Sequence, residues 1–306
     1  MDNSQPPRLL VLRNLLEPSR RAQSALEEIK EKLPNTTSES IELRGLFVLM
    51  ISAVETMLTD IYVYYLHSFP EKFDFKDTKF SKDDIISANL AIDLIEQQVE
   101  KSAISQAYGS FPELLRSIMK TIDITEPPLD TDLIDRIVEA KETRNLLLHN
   151  NLKVNHRYIT RAGRFRRTED EGSNLSLTQK YVREVCENLT LLIMNLEARM
   201  IAVYASYTRL AALRRLWDYL FSSPIMEFDD FWVTDTEKDK VWALKVSPLE
   251  KQLSSSEQAF LGVWRTHFNR WEHSSRDATS IMVGLDSHHK RKMLWFLATL
   301  ADFDIQ

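Results

Sequence analysis

Glycine and proline are scarce in this chain, at 6 and 10 of 306 residues. Tight turns and hairpins depend on both, and runs of alternating β-branched residues are also few, so the chain should be mainly helical. There is a single cysteine, Cys186. It excludes an intrachain disulfide and a cysteine-based zinc site, and it fits a reducing cytosol, so a cytoplasmic protein is expected. Seven histidines are present, but His267, His273, His288 and His289 follow no ligand spacing; no metal and no cofactor is expected. Positive charge is not in excess either: 39 Lys and Arg stand against 45 Asp and Glu, for a net charge of −6. Any contact with a nucleic acid must therefore be local. There is no glycine-rich phosphate loop, no Ser-His-Asp arrangement and no paired-carboxylate site. The N-terminal apolar stretch is short and broken by Arg13 and Asn14, which is not a signal-peptide layout.

Apolar surface is plentiful, with 43% hydrophobic residues, and the length suggests about two domains. Residues 1–221 read as a helical bundle and 222–306 as a mostly helical extension, with Ser222-Ser223-Pro224 as the boundary. Within the first part, helices are expected over 18–33, opened by Pro18-Ser19, and from about Ser40 to Phe69-Pro70, capped by Ser38 or Ser40. Further helices are expected from Ser81, with Asp84 completing a near capping box, to about 101, over SFPELLRSIMKTID, and over about 131–150. Residues 152–175 should form a loop or short hairpin. A helical stretch over about 175–221 is too long to run unbroken. In the second part, DDFWVTD and KVWALKV alternate as a short hairpin would. Two helices, around SSEQAFLGVWRTHFNRWE and SHHKRKMLWFLATLADF, should follow. The run Gly45–Leu66 is long enough to cross a membrane, but Glu55 and Asp60 interrupt it and charge at bilayer depth is costly. A helix buried on most sides within a bundle or dimer is expected, and no membrane partner.

The chemistry concentrates in ETRNLLLHNN. At about 100° per residue, Ile134, Ile137 and Val138 define an apolar arc, and the same arc then receives Lys141, Arg144, Asn145, Leu148 and His149. A face that becomes cationic in its last two turns needs partners, since an unpaired buried charge costs several kcal/mol. Histidine suits proton transfer because its ordinary pKa, about 6.5, lies near neutral pH. Arginine can grip a phosphate with two donors. Asn145 and His149 are neighbours on a helix surface. A second signal follows at once: Lys153, Arg157, Arg161, Arg164, Arg166 and Arg167 occur with no acid between 152 and 168. His156, Tyr158 and Phe165 are interleaved, as in a patch that holds RNA backbone and stacks on bases. Each has a plainer reading: Arg144 paired with Glu55 or Glu142, His149 capping carbonyls, a solvated basic loop, and Tyr181, Trp217, Trp264, Trp271 and Trp295 in core packing.

Arg144-x4-His149 at a helix end, with Asn145 after the arginine and Asn155 and Tyr158 beyond a turn, resembles the HEPN superfamily. The upstream segment GLFVLMISAVETMLTDIY is similar to the long apolar helix of that family, with Glu55 in the place of that helix's acidic residue. The resemblance covers roughly residues 40–205. It implies a HEPN-like all-α bundle and a metal-independent endoribonuclease. Two copies of the motif helix would then form one cleft across a homodimer axis, leaving 2′,3′-cyclic phosphate ends. In that reading His149 is acid or base, Arg144 stabilises the transition state and Asn145 positions phosphate. Lys141 and the basic loop bind RNA, and Glu55 orients Arg144. Relatives serve in phage defence or as toxins, so an antitoxin or defence-system protein is an implied partner. The chain departs from the antitoxin-paired type, whose tyrosine two residues after the histidine is Asn151 here; this argues against tyrosine AMPylation. The alternatives are a non-catalytic RNA- or protein-binding regulatory module of the same fold, and a scaffold that uses 225–306 to hold another protein.

Overall fold

A computed structural model describes residues 9–74, 80–87, 91–107 and 109–220, together with two strands at 232–235 and 240–244. The fold is all-α, apart from that short hairpin. Helices α1 (Leu12–Lys32), α2 (Ile41–Ser68), α3 (Lys82–Ser87), α4 (Ala91–Ala107), α5 (Phe111–Thr121), α6 (Thr131–Asn150), α7 (His156–Arg161), α8 (Gln179–Tyr204) and α9 (Arg209–Leu220) follow in order. Strands β1 (Trp232–Asp235) and β2 (Lys240–Leu244) pair antiparallel. The chain divides into two compact units, one of residues 12–89 and 93–205, the other of 1–11, 90–92 and 206–306. That division falls ahead of Ser222-Ser223-Pro224. It coincides with the interruption at 205–208 between α8 and α9, where Thr208 restarts the helix by accepting from the Ala211 N–H. The two helices expected after residue 250, with His267, His273, His288, His289, Trp264, Trp271 and Trp295, lie outside the described residues.

In the larger unit α1 and α8 pack along α2, and α6 packs on both α2 and α8. The core is supplied largely by α2, where Leu43, Phe47, Met50, Val54, Leu58 and Ile61 are all nearly inaccessible. Their spacing follows the helical repeat, and Ser40 starts the helix by accepting the Leu43 N–H at 3.1 Å. By length and composition α2 could cross a membrane. Its two acidic interruptions nevertheless have ion-pair partners on neighbouring helices: Asp60 with Arg21, and Glu55 with Lys141 and Arg144.

Several boundaries differ from expectation. Helix α1 begins at Leu12 and carries Pro18 within it. Proline in a helix forfeits one backbone hydrogen bond, but burying Leu15 and Leu16 upstream of it is the compensating gain. After Ser81 the described residues form α3 and α4, the latter reaching Ala107 rather than about 101, and the Ser81/Asp84 capping box does form at the start of the first. Residues 152–175 are neither plain loop nor hairpin. A single bridge, Lys153 with Asn174, closes them, and between these ends lie α7 and a 3-10 turn, Gly163–Phe165. Gly172, at φ +91°, lets the returning strand donate to Val154 O at 2.9 Å.

Candidate functional site at the end of α6

The motif lies where α2 and α6 run antiparallel. Arg44, in the first turn of α2, donates to Asn151 Oδ1 at 3.1 Å. Eleven residues later on α2, Glu55 meets Lys141 and Arg144, earlier on α6. The Glu55 carboxylate is thus shared by two cations, Lys141 Nζ at 3.0 Å and the Arg144 guanidinium. All three side chains are largely enclosed, with 18%, 9% and 15% exposure for Glu55, Lys141 and Arg144. Arg144 Nε is buried and has no hydrogen-bond partner among the described residues. The next residue, Asn145, donates back one turn to Glu142 Oε2 at 3.4 Å. His149 is exposed, beside Leu148, which is 52% exposed.

The chain then turns sharply. Asn151 and Leu152 both adopt left-handed conformations, φ +47° and +62°. Such backbone is costly for leucine, and it is held because Leu152 is buried and its N–H reaches Leu146 O at 3.1 Å. The sharp turn leaves the last turn of α6, with His149, at the surface rather than under the following segment.

Of the arc defined by Ile134, Ile137 and Val138, only Ile137 belongs to the core-facing stripe of α6. That stripe runs through Leu133, Ile137, Ala140, Thr143 and Leu146. Ile134 and Val138 are only half-buried, and beyond Lys141 their arc opens outward through Asn145 to Leu148 and His149. The apolar-to-polar change noted in the sequence is therefore a helix face leaving the core rather than a core face turned polar.

The basic loop is largely tied to the protein. Arg164 pairs with Asp132 and with Asp135 at 2.7 Å, and Arg166 pairs with Glu169. Arg167 enters a buried cluster that sequence reasoning missed. Glu139, 3% exposed, accepts from Thr143 Oγ1 at 2.7 Å, the Tyr158 hydroxyl at 2.7 Å, the Tyr181 hydroxyl at 2.6 Å and Arg167 Nε at 3.1 Å. Arg167 also donates to Ser176 O and Thr143 Oγ1 and lies 4.0 Å over the Tyr181 ring. Burial first, then the Glu139 charge, pushes Tyr158 up to about 12, and the same two causes hold Tyr181 well above its usual value. Burial opposes the charge on Arg167, yet Tyr181 and Glu139 outweigh it and its pKa is raised. Tyr158 is 1% exposed and has no face to offer a base, which corrects its reading as a stacking residue. Arg167, so enclosed, has little to offer a phosphate. Phe165 is flanked by Arg136 and Arg164, at 4.3 and 5.2 Å from its centroid. The only advance signal of the cluster was Glu139, Thr143 and Leu146 at i, i+4, i+7, which is indistinguishable in sequence from a solvated face.

Three of the loop cations remain outward. Arg157 reaches Glu142 only at 3.9 Å and is 61% exposed. Lys153 and Arg161 are exposed and form no ion pair among the described residues. Among the described residues no three His, Cys, Asp or Glu side chains group as a metal site. Comparison with protein-family models, curated proteins and solved structures finds no match to this chain.

Proposed function

We propose that this protein is a HEPN-type, metal-independent endoribonuclease, cytoplasmic and acting as a homodimer in phage defence or as a toxin restrained by a partner protein. The observation that carries the reading is the outward end of α6. An exposed histidine there stands within two turns of an arginine whose guanidinium is held by Glu55, beside the exposed apolar Leu148. A proton-transfer group, a fixed cation and an apolar flank together suit a site completed by a second copy.

The chemistry follows from the groups. A base must take the 2′-OH proton while the oxygen attacks phosphorus, and an acid must return a proton to the 5′ leaving oxygen. His149 and its counterpart would divide those roles. Arg144, always charged, would stabilise the phosphorane, with Glu55 keeping it in place and Asn145 contacting phosphate. Lys153, Arg157 and Arg161 would bind the backbone nearby, with Lys141, Arg164 and Arg166 adding field and Arg167 serving the fold.

A second reading, a non-catalytic binding or regulatory module, is favoured by the ion pairs that already occupy Arg144, Lys141 and Arg164. The two separate on total RNA in EDTA. Wild type should cut and leave 2′,3′-cyclic ends while His149→Ala should be at least 100-fold slower, the scale of general acid–base catalysis. Equal cleavage by both proteins would remove His149 from the mechanism.

A further inference from the structure

A cavity of about 390 Å³ opens beside the motif, between α6, the start of α5 and α7. Its polar walls are Lys141 and Glu142 of α6, Glu113 of α5 and Arg161 of α7; Val138 and Pro112 are the half-buried apolar residues beside them. Two carboxylates and two cations leave the lining without net charge. Such a lining does not select a phosphate or a cation; it selects a neutral ligand carrying both donors and acceptors.

Glu142 says which edge such a ligand presents. Its side chain is only 10% exposed. Oε2 takes the long bond from Asn145, at 3.4 Å, and the distant Arg157 at 3.9 Å. Oε1 has no hydrogen-bond partner among the described residues. An ionised carboxylate only accepts, so a nearly enclosed one with free capacity calls for adjacent N–H groups. Guanine presents two side by side, N1–H and the 2-amino group, with the O6 acceptor next to them. Adenine and cytosine present one amino group beside a ring acceptor, which would face the carboxylate's other oxygen. Uracil presents one N–H between two carbonyls. Arg161, at the rim within the field of Glu113 and in no ion pair among the described residues, can donate to O6 instead of to the RNA backbone.

We propose that this pocket binds a guanine base of single-stranded RNA and thereby sets where the chain is cut. The inference rests on the ribonuclease reading and deepens it, because Glu142 lines the pocket and also accepts from Asn145, the residue read above as contacting phosphate. Recognition of an unstacked base on its Watson–Crick edge is the usual mode for single-stranded RNA.

The test uses the full chain carrying His149→Ala, so that bound RNA stays intact, and the pentamers UUGUU, UUIUU, UUAUU, UUCUU and UUUUU, with affinity read by fluorescence anisotropy. Guanine should bind on the order of tenfold to a hundredfold more tightly than adenine, cytosine or uracil, the discrimination of one good bidentate base contact. Inosine, lacking the 2-amino group, should fall between. Glu142→Gln should erase the preference. Arg161→Gln, at an exposed position that folding does not depend on, should weaken it, with thermal melts confirming that both variants fold. Cleavage sites of the His149 protein on a random RNA pool form the second arm. Guanine at one fixed position supports the subsite. Cutting without base preference, with all pentamers bound alike, overturns the subsite and leaves the nuclease standing. Selective guanine binding by a protein that never cuts keeps the subsite and overturns the nuclease. Equal binding and no cutting overturns both.

Discussion

Arg164 and Arg167 lie three residues apart in one basic stretch, and replacing each by methionine should have very different consequences. Methionine keeps most of the aliphatic length and removes the charge and its donors. At Arg167 that strands Glu139, which is 3% exposed and whose remaining partners are hydroxyls. Breaking a buried ion pair from one side costs about 3–5 kcal/mol, a large share of the ~5–15 kcal/mol by which a domain is stable. For a unit of this size each kcal/mol moves the melting point by roughly 2–4 °C, so Arg167→Met should melt at least about 6 °C lower. At Arg164 the side chain is 52% exposed and so are its partners Asp132 and Asp135, at 53% and 39%. Exposed pairs contribute ~0–1 kcal/mol, and Arg164→Met should melt within about 4 °C of wild type. Calorimetry gives the melting points, and urea titration with an unchanged slope shows that the native state alone is affected. Adding Glu139→Gln to Arg167→Met should recover stability, because the stranded charge goes with it. Equal melting points for the two arginine variants, or no recovery in the double variant, would refute the assignment of Arg167 to the fold.

Glu55→Gln should loosen the grip on Arg144 and Lys141 while preserving shape; we expect a loss of at least tenfold in RNA cleavage with a smaller change in substrate affinity, measured by single-turnover kinetics. Leu148→Glu, at a position 52% exposed, should leave monomer stability within ~0.5 kcal/mol but shift the protein from dimer to monomer in light scattering and reduce cleavage in parallel. Tyr158 is raised to about 12 in the folded chain against about 10 unfolded. The folded state therefore holds its proton longer, so this contribution is complete below pH 10 and is lost as pH rises from about 10 to 12, by ~2–3 kcal/mol. Tyr158→Phe should flatten that alkaline decline in urea midpoints measured from pH 8 upward; an unchanged slope would place the sensitivity elsewhere.

Much of the helical layout could be read from residues alone. The scarcity of glycine and proline, the apolar repeat of α2 and the caps at Ser40 and Ser81 are local signals, and they are obeyed because each acts within one turn of its own helix. That the run over about 175–221 would break was legible from its length, but its place, after Tyr204, was not. The motif Arg144, Asn145 and His149 was likewise visible, since its interest lies in residue type and spacing. Exposure was not visible. Whether six basic residues form one open surface or are divided among structural and outward roles depends on acids far away in sequence, at Asp132, Asp135 and Glu139. The reach of Glu55 to two cations eighty and more residues ahead depends on α2 and α6 running antiparallel, which no local pattern encodes. A sequence lays down which groups can carry charge and turn a helix; only the packed chain decides which of those charges meet a partner, because pairing is set by distances between elements that local propensity does not control.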